Sequence, residues 1–220
     1  QYVALLEQAN SPEISSFTNA ITTNLTAFFR EIHHFEYLAE TLLPMLYERN
    51  AKTRRLRIWS AGCSTGEEPH SLAMVLQSFT AMRNWDVKIL ATDLDSNVIE
   101  KGTAGIYTGE RSVSIPPQYQ KYVKSFDNGN SVKVKDSVRS LIRFRQLNLL
   151  HSWPMEGDFD LIFCRNVVIY FDSETQKKLF NRYADILNVD GFLFIGHSEN
   201  LYKISDRFVS QGRTIYQKRL

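Results

Sequence analysis

The chain has 220 residues, of which 43% are hydrophobic, and its formal net charge at pH 7 is +2. This length and composition predict one well-packed core with a small appendage. The net charge is too small to imply nucleic-acid binding, and the lack of a long apolar run or a signal-peptide pattern predicts a soluble, cytoplasmic protein.

The first part of the chain reads as two helices. Residues 13–31 show a helical pattern. Residues 33–49 carry apolar side chains at three-to-four spacing, so this second helix is expected to pack by one face. His33 and His34 lie at its start and are interpreted as surface or capping residues.

Residues 56–76 predict a buried strand, a glycine loop and a helix whose first turn contains Glu67 and Glu68. Helix N-termini often bind phosphate groups, because their free N–H groups and their dipole attract negative charge. Two carboxylates would repel a diphosphate, whereas they would attract a ligand that carries an ammonium and a sulfonium charge. The acidic turn therefore favours a cationic ligand.

A second buried strand, over residues 87–92, ends next to Asp93. In nucleotide-binding α/β sheets, an acidic residue at this place binds ribose hydroxyls. A ribose combined with positive charge indicates S-adenosylmethionine as the ligand. The alternative is that Glu67 and Glu68 only complement the helix dipole and that Asp93 caps the next helix.

Strand-like and helix-like stretches alternate from residue 56 onward, which predicts a parallel sheet covered by helices on both faces. The last two strands are separated by Gln211 and Gly212 and read as a hairpin. A mostly parallel, seven-stranded α/β sheet that ends in an antiparallel hairpin is the Rossmann-like layout of class I methyltransferases. The predicted strands cover residues 56–60, 87–92, 142–147, 159–164 and 192–196, with the final pair within 207–218.

Residues 105–142 include an insertion that is too long for a simple crossover. We predict a helix over 116–126 and short antiparallel strands over 131–135 and 138–142, because apolar and basic residues alternate there. This small β-subdomain would have an open strand edge with lysines. Such an edge can accept a peptide strand, or its lysines can serve only to prevent aggregation.

Polar residues gather at the predicted carboxyl ends of the strands, where open α/β sheets bind ligands. Asn148 can bond an adenine edge, and Leu149 can pack on the adenine face. Asn166 and Tyr170 follow the next strand, close to the expected position of a transferable methyl group. Alternatively, Tyr170 is a packing residue with its hydroxyl in water. The two cysteines have no partner at metal-ligand spacing, so no metal site is predicted.

Six blocks of sequence carry a resemblance to a known family: Thr23-Asn-Leu-Thr-Ala-Phe-Phe-Arg-Glu31, Ser60-Ala-Gly-Cys-Ser-Thr-Gly-Glu-Glu-Pro69, Ala91-Thr-Asp-Leu-Asp95, Asn148-Leu-Leu150, Phe163-Cys-Arg-Asn-Val-Val-Ile-Tyr-Phe-Asp172 and Gly196-His-Ser-Glu-Asn200. Together, and in this order, they resemble the chemotaxis-receptor methyltransferases of the CheR family. The resemblance implies transfer of a methyl group from S-adenosylmethionine to glutamate side chains of chemoreceptors, with S-adenosylhomocysteine as the second product.

The resemblance also implies a set of cofactor-binding residues. Arg30 would hold the cofactor carboxylate, Glu67 its amino group and Asp93 its ribose. Glu68 can exchange roles with Glu67. The full set is Asn24, Thr26, Arg30, Glu67, Asp93, Asn148, Leu149, Arg165 and Asn166.

By the same resemblance, residues 1–31 are the remnant of an N-terminal helical region and a linker that contributes to the cofactor site. Residues 32–220 are the methyltransferase domain, with its inserted subdomain at about 105–142. The expected partners are the cytoplasmic domains of chemoreceptors, with no nucleic acid and no membrane insertion, and the chain is expected to be a monomer. His70 stands where the family often has tyrosine and is given no functional role.

A glutamate carboxylate is already ionised near neutral pH, so its attack on a sulfonium methyl group needs no general base. An arginine clamped on this nucleophile would stabilise the starting state more than the transition state, so a neutral donor suits the reaction better. We therefore predict that Tyr170 orients the incoming glutamate and that Arg30 assists. The alternatives are a non-catalytic S-adenosylmethionine-binding signalling module, or a methyltransferase that acts on nucleic acid or a small molecule.

Overall fold

The structure is a computed structural model, and it describes residues 13, 17, 19, 20, 24–155 and 157–219. Of the helical pattern predicted over residues 13–31, residues 13, 17, 19 and 20 are helical, whereas residues 24–31 are not, so the prediction is wrong for that part. From residue 24 to residue 32 the chain is loop and turn. This segment, called the N-terminal loop below, leads directly into the first helix.

A helical rod from residue 33 to residue 49 confirms the second predicted helix. It consists of α1 (His33–Tyr37), a π-helical segment (Leu38–Leu42) and α2 (Leu43–Arg49). The hydrogen-bond pattern changes just before Pro44, which has no N–H to donate to the preceding turn. His34 is fully buried, so its interpretation as a surface residue was wrong. It lies between the rod and the sheet, where its Nε2 is 2.9 Å from the carbonyl oxygen of Arg213.

Strands and helices alternate along the chain, and the strands form one large sheet and one small sheet. The strands are β1 (Arg55–Ala61), β2 (Asp86–Asp93), β3 (Ile106–Thr108), β4 (Val123–Phe126), β5 (Ser131–Val134), β6 (Ile142–Gln146), β7 (Phe159–Cys164), β8 (Leu187–Ile195), β9 (Phe208–Gly212) and β10 (Ile215–Lys218). The α-helices after the rod are α3 (Glu67–Ser78), α4 (Ser96–Ala104), α5 (Gly109–Ser112), α6 (Asp136–Arg139) and α7 (Ser173–Ile186).

The large sheet has seven strands in the order β6-β2-β1-β7-β8-β10-β9. Its first five strands are parallel, and β9 and β10 form the predicted antiparallel hairpin at one edge. Alternate residues of β1 face opposite sides of the sheet. Leu56 and Ile58 belong to one apolar core, and Trp59 and Ala61 belong to the other. The predicted class I methyltransferase layout is therefore confirmed.

The insertion between α4 and β6 contains a three-stranded antiparallel sheet in the order β3-β5-β4, so the predicted subdomain is confirmed. Its internal elements differ from the prediction. Residues 117–122 form a 3₁₀-helix, and residues 123–126 extend to pair with β5, so no helix covers 116–126. The predicted strand over 138–142 is wrong as well. Val138 lies in the short helix α6, and Ile142 begins β6 of the large sheet.

None of the helices in the described part of the chain combines the length and the apolar composition needed to cross a lipid bilayer.

Candidate functional site

A cavity of about 400 Å³ opens at the carboxyl ends of the parallel strands. One wall is the N-terminal loop, and the other walls are the loops that follow β1, β2, β6 and β7. The lining residues are Asn24, Leu25, Thr26, Ala27, Arg30, Gly62, Cys63, Ser64, Glu68, Asp93, Leu94, Leu147, Asn148, Leu149, Leu150, Arg165, Asn166, Val167, Tyr170 and Phe171. Every predicted site residue except Glu67 is in this set.

Two buried phenylalanines anchor the N-terminal loop. Phe28 contacts Tyr107 edge-on with ring centroids 4.9 Å apart, and Phe29 stacks on Tyr119 at 4.8 Å. Both tyrosines belong to the inserted subdomain. Phe29 has φ +54°, a left-handed backbone conformation that non-glycine residues rarely adopt. The packing of these rings thus stabilises a backbone turn that is unfavourable in isolation. This turn places Arg30 over the strand ends.

The loop after β1 requires glycine at position 62. Gly62 has φ +86°, and a Cβ atom there would overlap the side chain of Val167 in the loop after β7. The Gly62 N–H donates to the carbonyl oxygen of Thr92 over 2.8 Å. Glycine thus lets the loops after β1 and β7 meet closely beside the end of β2 at the floor of the cavity.

Asp93 lies at the end of β2 with its carboxylate fixed by backbone groups. It accepts hydrogen bonds from the N–H of Ser64 over 2.8 Å and from the N–H of Asp95 over 3.1 Å. Burial raises its pKa above the usual value for an aspartate. The next helix is capped by Asp95, which accepts from the N–H of Asn97 over 2.8 Å. The alternative role of Asp93 as the cap of that helix is thereby excluded.

Glu67 and Glu68 point in different directions from the first turn of α3, because successive helix residues are rotated by about 100°. Glu67 is fully buried beneath the loop, where it accepts from the hydroxyl of Thr65 over 2.6 Å and pairs with Arg111 of α5. Glu68 faces the cavity and accepts from the hydroxyl of Ser60 over 2.7 Å. Burial raises its pKa. The structure does not bring the predicted contact residue, Glu67, into the cavity; Glu68 occupies that place.

The two arginines of the cavity have different electrostatic surroundings. Arg165 is buried and lies 3.0 Å from Glu68 and 3.3 Å from Glu31, so two carboxylates compensate its charge. Arg30 donates to the carbonyl oxygen of Leu25 over 2.8 Å, and within the described residues no carboxylate pairs with it. Arg30 is thus the cavity arginine whose charge is open to an anionic ligand group.

Asn148 and Leu149 form the wall that follows β6. Asn148 accepts from the N–H of Leu150 over 2.9 Å through its side-chain oxygen, which fixes the amide at the cavity surface. Leu149 is 8% exposed, and its carbonyl oxygen accepts from Arg182 over 2.7 Å. A rigid polar edge therefore lies next to an apolar surface.

The segment after β7 carries Asn166 and Tyr170. Asn166 has φ +59°, and Tyr170 ends a 3₁₀-helix (Val168–Tyr170) at the cavity mouth. Tyr170 is 61% exposed, so it is not an interior packing residue. It lines the cavity and at the same time remains largely exposed to solvent.

Two acidic residues of this region had no role in the sequence interpretation. Glu31 holds Arg165 and is 3.1 Å from Nδ1 of His197. Glu199 is buried and accepts hydrogen bonds from the loop after β7. Both residues stand inside the sequence blocks that resemble the family, and this resemblance was the signal that could have identified them. Their contacts were not predictable, because their partners are remote in sequence.

Glu31, His33 and His34 are the described residues whose possible metal-ligand atoms cluster, with all of these atoms within 4.8 Å of one another. Arg165 already supplies a positive charge to the Glu31 carboxylate. The cluster is therefore balanced by a side chain and does not by itself indicate a metal ion.

The donor set of the cavity fits S-adenosylmethionine, which carries an ammonium, a sulfonium, a carboxylate, a ribose and an adenine. Glu68 and Asp93 supply negative charge and hydrogen-bond acceptors, and Arg30 supplies an open positive charge. Asn148 and Leu149 supply the polar edge and apolar surface that an adenine ring requires.

Comparison with known proteins agrees with this chemistry. Residues 24–217 match the family described as "CheR methyltransferase, SAM binding domain". The chain is 42% identical to the "Chemotaxis protein methyltransferase" of Klebsiella aerogenes, over 98% of this chain and 73% of that protein. It is also 42% identical to the protein of the same name from Escherichia coli, over 98% of this chain and 74% of that protein. The "Chemotaxis protein methyltransferase 2" of Pseudomonas aeruginosa is 43% identical, over 91% of this chain and 71% of that protein. The matched residues include every wall of the cavity, and the chain therefore belongs to the CheR methyltransferase family.

Proposed function

We propose that this protein transfers a methyl group from S-adenosylmethionine to glutamate carboxylates of chemoreceptor cytoplasmic domains. The products would be glutamyl methyl esters and S-adenosylhomocysteine, and the protein would act as a monomer in the cytoplasm. The observation that carries the proposal is the cavity at the strand ends, whose charges fit S-adenosylmethionine in a chain that belongs to the CheR family. Relatives named chemotaxis protein methyltransferases support the choice of receptor substrate.

The cofactor-binding roles follow from the charges of the cavity. Arg30 binds the carboxylate of the amino-acid portion, because its own charge is open. Glu68, in place of Glu67, binds the amino group, since Glu68 faces the cavity. Asp93 accepts from the ribose hydroxyls, and Asn148 bonds the adenine edge. Asn24, Thr26, Leu149, Arg165 and Asn166 complete the surrounding wall.

Bound S-adenosylmethionine supplies an electrophilic methyl group on a sulfonium. The residues of the chain have to bring an ionised glutamate into line with it, and this reaction needs no general base. Arg165 is occupied by Glu68 and Glu31, so it is not open to clamp the incoming carboxylate. Tyr170 at the mouth offers a neutral hydroxyl that orients the nucleophile without stabilising its starting state more than the transition state.

A methyl-transfer assay tests this proposal against the two alternatives. The protein is incubated with tritiated S-adenosylmethionine, chemoreceptor cytoplasmic fragments and bulk RNA. Label on the receptor that mild alkali releases as methanol is the expected result, because carboxyl methyl esters hydrolyse in base. Label on RNA would favour a nucleic-acid methyltransferase. Cofactor binding without transfer to either would favour a non-catalytic module.

A further inference from the structure

Glu199 is a buried carboxylate that joins two strand-end loops. It is 5% exposed and lies in the loop after β8. Its carboxylate accepts from the N–H of Gly196 over 2.6 Å, from that of Asn166 over 3.0 Å and from that of Ile169 over 3.3 Å. In the described part of the chain no basic side chain pairs with it. Backbone N–H groups of two loops thus satisfy one buried charge.

The segment held by this carboxylate is the one that carries Tyr170. Its first residue, Asn166, is in the left-handed backbone conformation. This conformation costs free energy and persists only where surrounding contacts enforce it. Gly196 packs directly against it: a Cβ atom on Gly196 would lie 2.5 Å from Nδ2 and 2.8 Å from the backbone nitrogen of Asn166. Glycine at position 196 lets the loop after β8 approach the segment closely. Glu199 can then accept hydrogen bonds from the N–H groups of that segment.

The carbonyl groups of the same segment have a separate partner. Gln176 of α7 donates to the carbonyl oxygens of Val168 and Phe171, each over 2.9 Å. Glu199 and Gln176 therefore hold the backbone on both sides of Tyr170, whose side chain is left to project at the cavity mouth. The remaining cavity walls carry Asp93 and Asn148 on other loops, which Glu199 does not contact.

We propose that Glu199 is a positioning residue for methyl transfer, fixing residues 166–170 so that Tyr170 meets the incoming carboxylate. The inference rests on the proposed function. It predicts that loss of the carboxylate affects turnover far more than cofactor affinity, because most of the cofactor contacts lie on loops that stay in place.

The test compares Glu199→Gln with Asp160→Asn. Asp160 is a control for the loss of a buried carboxylate away from the cavity, because it is 2% exposed and lies at the opposite end of β7. It accepts from the N–H of Arg57 over 2.8 Å and from Asn188 over 3.1 Å, and unlike Glu199 it also pairs with an arginine, Arg49, over 2.6 Å. Glu199→Gln keeps the side-chain shape and presents an amide to N–H donors. We expect its kcat on receptor fragments to fall by about tenfold, no more than loss of the Tyr170 hydroxyl itself would cost, with the Kd for S-adenosylhomocysteine changed less than about threefold. Asp160→Asn should lower thermal stability and leave kcat within about threefold.

A double variant separates positioning from general destabilisation. If Glu199 acts by placing Tyr170, Glu199→Gln should cost much less in a Tyr170→Phe background than in the wild type. Full kcat in Glu199→Gln, equal losses of kcat in Glu199→Gln and Asp160→Asn, or fully multiplicative losses in the double variant would overturn the inference. A wild-type protein that methylates no receptor would instead refute the proposed function, so the two failures are distinguishable.

Discussion

Two neighbouring glutamates at the start of α3 have unrelated surroundings. Glu67 is paired with Arg111 beneath the glycine loop, and Glu68 faces the cavity beside Arg165. The sequence alone predicted that an acidic pair would meet a cationic ligand. It could not say which member does so, because that depends on where a short helix of the insertion places Arg111.

We predict that Glu68→Gln weakens the binding of S-adenosylmethionine by about tenfold, the usual cost of losing one charge-assisted hydrogen bond. Glu67→Gln should leave the affinity within about threefold of the wild type, because its carboxylate is buried against Thr65 and Arg111 and does not line the cavity. Titration calorimetry on both variants measures the difference. The opposite order of affinities would return the amino-group contact to Glu67.

Tyr170→Phe should lower kcat on receptor fragments by about tenfold, since one orienting hydrogen bond is removed from the nucleophile. The affinity for S-adenosylhomocysteine should stay the same, because the side chain is at the mouth and 61% exposed. Steady-state kinetics with a parallel binding measurement checks both parts. Tyr202→Phe is a suitable control, because Tyr202 is 77% exposed and does not line the cavity. Unchanged turnover in Tyr170→Phe would remove the proposed role of the hydroxyl.

The inserted subdomain is attached to the cofactor loop by buried polar contacts. Arg111 of α5 pairs with Glu67, and the hydroxyl of Tyr107 in β3 donates to the carbonyl oxygen of Thr65 over 2.8 Å. An element that looks like an appendage in the sequence therefore supports the glycine loop from below.

Arg111→Met should lower the free energy of unfolding by about 2 kcal/mol, because a fully buried carboxylate loses its partner. Adding Glu67→Gln should recover part of this loss, since the amide has no charge to compensate. Urea denaturation of the two single variants and the double variant gives the coupling. Additive losses would show that the pair contributes nothing, and Arg145→Met, which changes an exposed arginine, is the control.

The elements were predictable where one pattern had one explanation. The central strands β1 and β7 are buried over most of their length and were located from apolar runs, whereas the insertion was mistaken at two points. Val138 and Ile142 are four residues apart, a spacing that fits a helical turn as well as alternation along a strand. Both are buried, and Ile142 was assigned both to this short strand and to the large-sheet strand predicted over 142–147; only the second assignment is confirmed.

The molecule as a whole buries two neutral histidines. Burial lowers the pKa of His70 to about 4, and burial together with the Arg165 charge lowers that of His34 to about 3. The unfolded chain, with histidine pKa values near 6.5, binds these protons more readily than the folded one. Stability contributed by the neutral forms is therefore complete above pH 6.5 and declines as the pH falls towards 4.

We predict that the free energy of unfolding falls between pH 6.5 and pH 4, with His70 responsible for a slope of about 1 kcal/mol per pH unit around pH 5.5. His70→Gln can still donate to the carbonyl oxygen of Gly102, which His70 Nε2 contacts over 3.0 Å, and it has no proton to gain. Its stability should therefore be less pH-dependent than that of the wild type by this amount. Urea denaturation at pH 7, 6 and 5 measures the slopes, and parallel curves would contradict the assignment.

The walls of the cavity are contributed by segments from residue 24 to residue 171, with the N-terminal loop as one of them. A ligand that touches all of these segments acts as a non-covalent cross-link between the N-terminal loop and the sheet. At a concentration about 100 times its Kd, such a ligand adds about 2.7 kcal/mol to the stability of the state in which the N-terminal loop packs on the sheet. Protease sites in the N-terminal loop, such as the peptide bond after Arg30, would then become protected as the cofactor is bound, and cleavage there would report how fully the site is occupied.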